Sequence, residues 1–241
     1  MKEQKLLSHL RKCIREYGLI EDGDRILVGV SGGKDSLTLL YALKKLQAFC
    51  PESFTLQAVS VDTGLSMDFS GVRSFCEALK VPYSIEKTEI SKIVFEEKKE
   101  DNPCSLCANM RRGALVNAAV KLNCNKLALG HNKDDYLTTL LLSLIYEGRF
   151  YTFAPLTAYP DREIKIIRPL LYVAEASVRD FADENSFPVL KNLCPADHIT
   201  KRSEMAELLR KLQKKYPDIR ERLLHSVTSS QIPDWEALRK E

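Results

Sequence analysis

A glycine-rich turn lies directly behind an apolar strand pattern within the first forty residues, and this pair restricts the possible folds more than any other feature of the sequence. The apolar run Ile26–Val30 is typical of a strand, and SGGKDS follows it at 31–36. Leu37, Leu40 and Leu43 then lie at helical spacing. Glycine lets a backbone approach a ligand closely, and the exposed N–H groups at the start of a helix attract an anion. We therefore predict a strand–turn–helix unit whose turn, called the glycine turn (Ser31–Ser36), holds a phosphate group.

Apolar strand patterns and amphipathic helix patterns alternate from residue 25 to about residue 170. Strands that are separated by helices usually pair in parallel, with helices on both faces of the sheet. The predicted fold class is therefore α/β, with a parallel five-stranded sheet and helical extensions at the N- and C-terminal ends. Ligands of such sheets bind outside the carboxyl ends of the strands. The predicted strands are 26–30, 54–61, 82–90, 126–130 and 164–170. The predicted helices include an amphipathic helix over the first 18 residues, a helix near 108–122 and a single basic helix over 201–222.

Three regions are predicted along the chain: a helical segment over 1–24, a nucleotide-binding domain over 25–172, and a helical region over 173–241 that carries Cys194. The sequence contains neither an apolar stretch of membrane length nor a signal-peptide core, which predicts a cytoplasmic protein. In that compartment the seven cysteines are expected as reduced thiols, metal ligands or catalytic groups. The formal net charge of +3 is compatible with an RNA partner and does not require one.

The glycine turn differs from two common phosphate-binding motifs. A Walker A loop needs glycine in place of Val28 and a hydroxyl residue in place of Asp35. The G-x-G-x-x-G pattern of dinucleotide-binding folds is absent from the sequence as well. The simplest alternative is a turn without a ligand, with Lys34 at the surface.

Two further segments follow predicted strands and should lie at the same edge of the sheet as the glycine turn. VDTG at 61–64 ends the second strand, and its alternative role is an Asx turn. GHNKDD at 130–135 follows the fourth strand. Gly130 permits close approach, and Asp134 or Asp135 supplies the oxygen ligands that Mg²⁺ prefers. The alternative for the acidic pair is stabilisation of a helix start.

The strand, glycine turn and helix resemble those of the PP-loop ATPases, which cleave ATP between the α and β phosphates and adenylate a substrate. The resemblance implies that the backbone of the turn holds the pyrophosphate portion. It implies catalytic roles for Lys34 and Asp35, with Lys34 neutralising the charge that develops. It also implies that Val61 and Asp62 flank the adenosine. The nucleotide-binding residues implied are Val30, Ser31, Gly32, Gly33, Lys34, Asp35, Ser36, Val61, Asp62, Gly130, His131 and Asp135.

The cysteines divide into two groups by their surroundings. Cys104 and Cys107 form a C-x-x-C at a loop-to-helix junction, and Cys194 lies in a polar loop. Such a set is compatible with a redox pair, part of a zinc site or part of an iron–sulfur site. The others lie in or beside amphipathic helices, where a single thiol is usually a small core side chain. These are Cys13, Cys50, Cys76 and Cys124.

Together with the glycine turn, the first group resembles the tRNA 2-thiocytidine synthetase family over nearly the whole chain. The matching stretches are SGGKDS, PCSLCANMRRGAL, LALGHNKDD, IIRPL and FPVLKNLC. The resemblance implies a [4Fe-4S] cluster held by Cys104, Cys107 and Cys194, with one iron lacking a protein ligand. It implies adenylation of the C2 carbonyl of cytidine 32 in tRNA and replacement of that oxygen by sulfur. It further implies ATP, Mg²⁺ on Asp134 and Asp135, a cysteine desulfurase as sulfur donor, and a homodimer.

Several alternatives stay open at this point. Related PP-loop enzymes make 2-thiouridine or lysidine in tRNA, and sulfur transfer can also use two cysteines as a persulfide and disulfide pair. A non-catalytic ATP-binding metal sensor would keep the same nucleotide site, and a zinc protein would use the three cysteines with His198. Arg111 and Arg112 follow the C-x-x-C and either contact phosphate or RNA, or lie solvated at the start of a helix.

Overall fold

A six-stranded sheet, five strands parallel and one antiparallel, organises the computed structural model. The model describes residues 1–98, 103–159, 162–191, 193–194 and 201–229. The α/β class with a parallel sheet is confirmed, and the predicted count of five strands is one too low. The additional strand is a three-residue antiparallel edge strand, too short to show an apolar pattern. In spatial order the strands are β3 (Tyr83–Lys87), β2 (Phe54–Asp62), β1 (Asp24–Gly29), β4 (Lys126–Ala128), β6 (Lys165–Ile167) and β5 (Leu156–Ala158).

The strand β1 is central because it pairs in parallel with β2 on one side and with β4 on the other. Leu27 of β1 packs in the core with Val59, Leu127 and Ile166 from the neighbouring strands. An unbroken apolar run is typical of a parallel strand that is buried on both faces. Beyond β1, the Val30 N–H still donates to the Val59 carbonyl at 2.8 Å. The glycine turn therefore leaves the sheet from its most buried strand.

The helices depart from the predicted boundaries at two places. The helix predicted near 108–122 begins earlier, at Pro103, whose fixed φ and missing N–H suit the first helical position, so Cys104 and Cys107 lie in its first two turns. The single basic helix predicted over 201–222 is wrong, because Pro217 separates two helices. The described helices are α1 (Glu3–Tyr17), α2 (Lys34–Leu46), α3 (Ser70–Ala78), α4 (Ile90–Lys92, continued by a π-helical turn over Ile93–Lys98), α5 (Pro103–Lys121), α6 (Lys133–Tyr146), α7 (Glu175–Glu184), α8 (Lys201–Lys215) and α9 (Ile219–Thr228).

The internal contacts divide the chain into two units. The first consists of Met1–Lys133 and Ala154–His198, and it contains the whole sheet, the glycine turn and all seven cysteines. The second consists of Asp134–Phe153 and Ile199–Glu241, and its described part is mostly helical. The predicted division into 1–24, 25–172 and 173–241 stays a prediction.

Amphipathic packing begins with α1, as predicted for the first residues of the chain. Its apolar side buries Leu6, Leu10 and Ile14, and the helix ends at Gly18, whose φ is +57°. Among the described residues, no helix combines the length and the apolar character needed to span a membrane.

Candidate active site

The glycine turn owes its shape to one glycine and one hydroxyl group. Gly32 has a φ of +82°, a left-handed conformation that other residues rarely adopt. The Ser36 hydroxyl donates to the Gly33 carbonyl at 2.9 Å and lies 3.2 Å from the Ser31 N–H, which donates to it. Because α2 begins at Lys34, the turn forms a helix start, where backbone N–H groups lack intrahelical partners. The arrangement therefore suits an anion.

Lys34 lies between two carboxylates. Its Nζ is 2.9 Å from Asp35 Oδ2 and 3.0 Å from Glu175 Oε1 at the start of α7. Burial lowers the pKa of Lys34, but the charges of the two carboxylates and their hydrogen bonds outweigh it, so the pKa is raised overall. Asn132 Nδ2 donates to the other oxygen of Asp35, Oδ1, at 2.8 Å. Lys34 is thus a cation held beside the glycine turn.

The loop that follows β4 packs directly onto the start of α2. A Cβ on Gly130 would lie 3.0 Å from the α2 backbone, so glycine is required for this close contact. Next to it His131 is half-buried and Asn132 is buried. Neither Asn132 nor Glu175 is recognisable from the sequence as a site residue. An amide in a polar loop and a glutamate in a first helical turn have no distinctive spacing, so no pattern marks them.

A cavity of about 260 Å³ joins the glycine turn to two thiols within the first unit. The turn contributes Ser31 and Gly33, and the thiols belong to Cys107 and Cys194. Segments that are far apart in sequence therefore meet at the carboxyl edge of the sheet. Other residues that line the cavity include Val61, Thr63, Ser91, Phe95, Arg111 and Leu190.

Three residues at the ends of β1 and β2 were predicted to contact nucleotide, and they differ in position. The Val30 carbonyl accepts from the Ser60 hydroxyl at 2.5 Å, so its backbone is used within the sheet. Val61 lines the cavity. Asp62 Oδ1 accepts from the Gly64 N–H at 2.9 Å, which is the Asx turn that was the alternative for this segment. Val61 is therefore placed to touch a ligand, while Asp62 shapes the loop.

Cys104, Cys107 and Cys194 are brought near one another. Burial raises the pKa of the Cys107 thiol, and the Arg111 guanidinium partly offsets that rise. Charge repulsion from Cys194 and Cys104 raises the same pKa further, and Cys194 lines the cavity together with Cys107. Cys104 is exposed, in the first turn of α5, while Cys107 and Cys194 are half-buried.

The three thiols have the chemistry that an iron–sulfur cluster needs. Thiolates are the usual ligands of a [4Fe-4S] cluster, and each binds a different iron, so they stand farther apart than the ligands of one ion. Across the described ranges, no three Cys, His, Asp or Glu side chains are grouped closely enough to hold one metal ion. Cys107 and Cys194 line one cavity, and Cys104 precedes Cys107 by about one turn of α5, so a cluster held by the three thiols stays a prediction. His198, the fourth ligand of the zinc alternative, lies outside the described residues.

The two arginines that follow the C-x-x-C have different surroundings. Arg111 lines the cavity and lies close to Cys107. Arg112 Nη2 instead donates to Asn109 Oδ1 at 2.9 Å, where both side chains are exposed. Because successive helical residues point about 100° apart, one of the pair reaches the cavity and the other does not. Arg111 is thus the arginine placed to stabilise a thiolate or a bound anion.

The remaining cysteines do not line the cavity. Cys13, Cys76 and Cys124 are buried, and Cys50 is half-buried. Burial raises the pKa of Cys13 to about 12 and that of Cys76 to about 11. All seven cysteines lie among the described residues, and none of them forms a disulfide. Cys13, Cys76 and Cys124 are therefore small buried side chains, whereas the Cys50 thiol donates to Glu52 Oε2 at 2.9 Å.

Asp134 and Asp135 begin the second unit and form ion pairs within it. Asp135 Oδ1 lies 3.1 Å from Arg202 Nη1, and Asp134 forms a close ion pair with Arg220. Both carboxylates lie in the first turn of α6, which favours negative charge. A magnesium role for either one requires exchange of an arginine for the metal, and it stays a prediction.

Comparison with known proteins identifies relatives of the whole arrangement. A family model described as a PP-loop domain matches residues 2–203. The tRNA-cytidine(32) 2-sulfurtransferase of Pelobacter propionicus is 38% identical over 238 residues, which cover 95% of this chain and 88% of that protein. The enzyme of the same name from Geobacter sulfurreducens is 38% identical over 232 residues, 95% of this chain and 90% of that one. Among solved structures, the U34-tRNA thiolase NcsA from Methanococcus maripaludis, with its [4Fe-4S] cluster, has a TM-score of 0.79 and 26% identity, and the match covers 94% of this chain and 78% of that one.

Proposed function

This chain belongs to the PP-loop family of tRNA-cytidine(32) 2-sulfurtransferases, and we propose that it replaces the C2 oxygen of a tRNA cytidine, at position 32, by sulfur in an ATP-dependent reaction. The observation that carries the proposal is the single cavity bordered by the glycine turn, Cys107 and Cys194. Activation takes place at the C2 oxygen of the base and sulfur is delivered to C2, so both steps act on one carbonyl group. The two sets of groups therefore have to share one cavity.

ATP binds with its pyrophosphate portion on the backbone N–H groups of the glycine turn and its nucleoside along Val61. Lys34 is fully protonated for this task, because the carboxylates beside it raise its pKa. The phosphates of ATP compete with Asp35 and Glu175 for the Lys34 ammonium group. Lys34 is then positioned to neutralise the charge that develops on the departing pyrophosphate.

The chemistry divides into activation and replacement. The C2 carbonyl oxygen of the cytosine attacks the α-phosphorus of ATP, the bond from that phosphorus to the bridging oxygen breaks, and pyrophosphate leaves. Adenylation makes the base oxygen a good leaving group. When hydrosulfide attacks C2, a C–S bond forms, the C–O bond breaks, the oxygen departs in AMP and the proton carried by the sulfur is released to solvent.

Cys104, Cys107 and Cys194 are the residues that would hold the [4Fe-4S] cluster, which supplies, when bound, an iron atom open to a further ligand. The half-buried position of Cys107 and Cys194 keeps those two sulfur atoms partly shielded from solvent. Arg111 beside Cys107 favours the thiolate form that metal binding requires.

Further partners follow from the family. Mg²⁺ accompanies ATP, with Asp134 and Asp135 as its ligands in place of their arginine partners. A cysteine desulfurase supplies the sulfur, the enzyme acts on tRNA in the cytoplasm, and two copies form a homodimer. The support for these partners is the family resemblance, and sedimentation at micromolar concentration tests the dimer directly.

A 2-thiouridine product is the second candidate function. It is favoured by the likeness to the U34-tRNA thiolase, which acts on another base. Both products need the same activation and the same thiols, so mass spectrometry of the nucleosides separates them. The metal-sensor alternative predicts no AMP when tRNA and ATP are supplied together.

The test uses full-length protein reconstituted anaerobically with iron and sulfide, then incubated with ATP, Mg²⁺, a sulfide source and unmodified tRNA. We expect 2-thiocytidine in the digested tRNA, with AMP and pyrophosphate formed in equal amounts. Cys194→Ala should lose the brown absorbance and the thiolation while it still binds ATP. Cys124→Ala is the matched control, at a cost on the order of 1 kcal/mol for so small a cavity. A colourless wild-type protein, or full thiolation by Cys194→Ala, would contradict the proposal.

A further inference from the structure

The chain segment that leads to Cys194 is attached directly to the glycine turn. The Leu190 N–H donates to the Gly32 carbonyl at 2.9 Å. The Leu190 side chain covers the same glycine so closely that a Cβ there would lie 2.5 Å from Leu190 Cδ1. Leu190 also lines the cavity together with Cys194. One residue thus contacts the turn through both its backbone and its side chain, four positions before a predicted cluster ligand.

An aromatic anchor holds the other end of this segment. The ring of Phe187 lies 4.9 Å from that of Phe75, 5.5 Å from that of Tyr41 and 5.9 Å from that of Phe181, measured between ring centroids. The segment is therefore held by aromatic rings at Phe187 and contacts the glycine turn three residues later, at Leu190. Four residues can span at most about 14 Å, so the Leu190 contact restricts where the Cys194 thiol can lie.

We propose that Leu190 is a positioning residue that couples the glycine turn to Cys194: phosphate bound at the turn fixes Leu190 and thereby restricts the Cys194 thiol. The inference rests on the proposed function and adds to it a coupling between the nucleotide and the third cysteine. Coupling between two binding sites is reciprocal. If bound nucleotide strengthens the binding of a metal group by the three thiols, that metal group must therefore strengthen nucleotide binding by the same factor.

The physical route runs through one peptide group. The Gly32 carbonyl and the Gly33 N–H belong to the same planar unit and point in opposite directions. The Gly33 N–H donates to the Ser31 hydroxyl at a long distance of 3.3 Å, so a phosphate oxygen can replace that partner. A charged acceptor at the N–H polarises the peptide and strengthens the bond that its carbonyl accepts from Leu190. Phosphate on one side of the unit therefore tightens the Leu190 contact on the other.

The test uses metal-free, full-length protein and measures iodoacetamide alkylation of individual cysteines by peptide mass spectrometry. Two probes are compared, inorganic pyrophosphate and a non-hydrolysable ATP analogue, with affinities measured by calorimetry. We expect either probe to slow alkylation of Cys194 by at least about fivefold, the lower end of typical coupling between sites. In Leu190→Ala the slowing should fall below twofold, whereas Leu190→Met should restore it. Val189→Ala, next in the chain and 48% exposed, is the matched control.

Each outcome decides one question. A probe that binds wild type and protects Cys194 equally in wild type and Leu190→Ala acts by direct shielding, which refutes the coupling and leaves the proposed function intact. Failure of both probes to bind wild type refutes the nucleotide site itself. Unchanged circular dichroism and unchanged alkylation of Cys13 in each variant show that the fold is retained. With those controls met, loss of protection in Leu190→Ala supports the positioning role.

Discussion

Replacing Gly32 by alanine tests whether the glycine turn depends on both its backbone conformation and its lack of a side chain. At a φ of +82°, an L-residue carries a cost of about 1–2 kcal/mol. The new Cβ would also lie 2.5 Å from Leu190 Cδ1 and 2.6 Å from its Cγ. Such overpacking typically costs about 1–3 kcal/mol. We therefore expect Gly32→Ala to lower the free energy of unfolding by about 2–5 kcal/mol.

The adjacent glycine provides a matched control. Gly33 has a φ of −78°, and a Cβ there would have its nearest neighbour, Ser31 Oγ, at an ordinary 3.4 Å. Gly33→Ala should thus change stability by less than about 1 kcal/mol, since alanine fits and restricts the unfolded chain. Combining Gly32→Ala with Leu190→Ala makes room for the new methyl group. Measured relative to Leu190→Ala alone, the double variant should show the backbone part of the loss without the steric part.

Urea denaturation of the metal-free proteins, followed by circular dichroism, measures these differences. The comparison needs equal denaturant slopes, because a changed slope means a changed unfolded or native state. Equal stability of Gly32→Ala and Gly33→Ala, within about 0.5 kcal/mol, would refute the argument from φ and from the Leu190 contact. The steric part alone would be refuted if Gly32→Ala cost as much stability in the Leu190→Ala background as it does in wild type.

Three further predictions concern the chemistry of the site. Lys34→Ala should abolish AMP formation while the cluster stays bound, and pyrophosphate release near the wild-type rate would contradict the role of the glycine turn. Asp134→Asn or Asp135→Asn should raise the Mg²⁺ concentration needed for half-maximal activity, because an amide keeps the shape of the carboxylate and loses its charge. If the Mg²⁺ dependence is unchanged in both variants, the magnesium role is refuted and the two carboxylates serve in the ion pairs with arginine. In metal-free protein, burial raises the pKa of Cys107, so near neutral pH its alkylation should be slower than that of exposed Cys104, because the thiolate is the form that reacts. The alkylation rate of Cys107 should also keep rising to a higher pH than the rate of an ordinary thiol. Equal alkylation rates and equal pH profiles for the two cysteines would contradict the effect of burial.

The elements that build the first unit were predictable because their signals are local. A buried parallel strand is apolar along its whole length, and a glycine at positive φ has few substitutes, so Ile26–Val30 and Gly32 are recognisable from neighbouring residues alone. The C-x-x-C is a local signal too, because it is recognised from the spacing of two cysteines within four residues. Where the local signal is weak the predictions fail, as at the three-residue edge strand β5. At Pro217 the local signal is strong, because proline ends a helix, and the prediction of one continuous helix there is wrong despite it.

The partners of these elements depend on tertiary packing, which no spacing encodes. Nothing in the sequence around Glu175 or Asn132 reveals that they reach Lys34 and Asp35, because those contacts exist only after α7 and the loop behind β4 pack against α2. Arg111 and Arg112 are equivalent in sequence and differ only in which side of α5 faces the cavity. The same holds for Leu190, an ordinary leucine until the chain folds it onto the glycine turn. Local conformation follows from the chemistry of a few adjacent residues. A cavity shared by distant elements forms only when those elements pack together and exclude water, so its lining is specified by the folded chain.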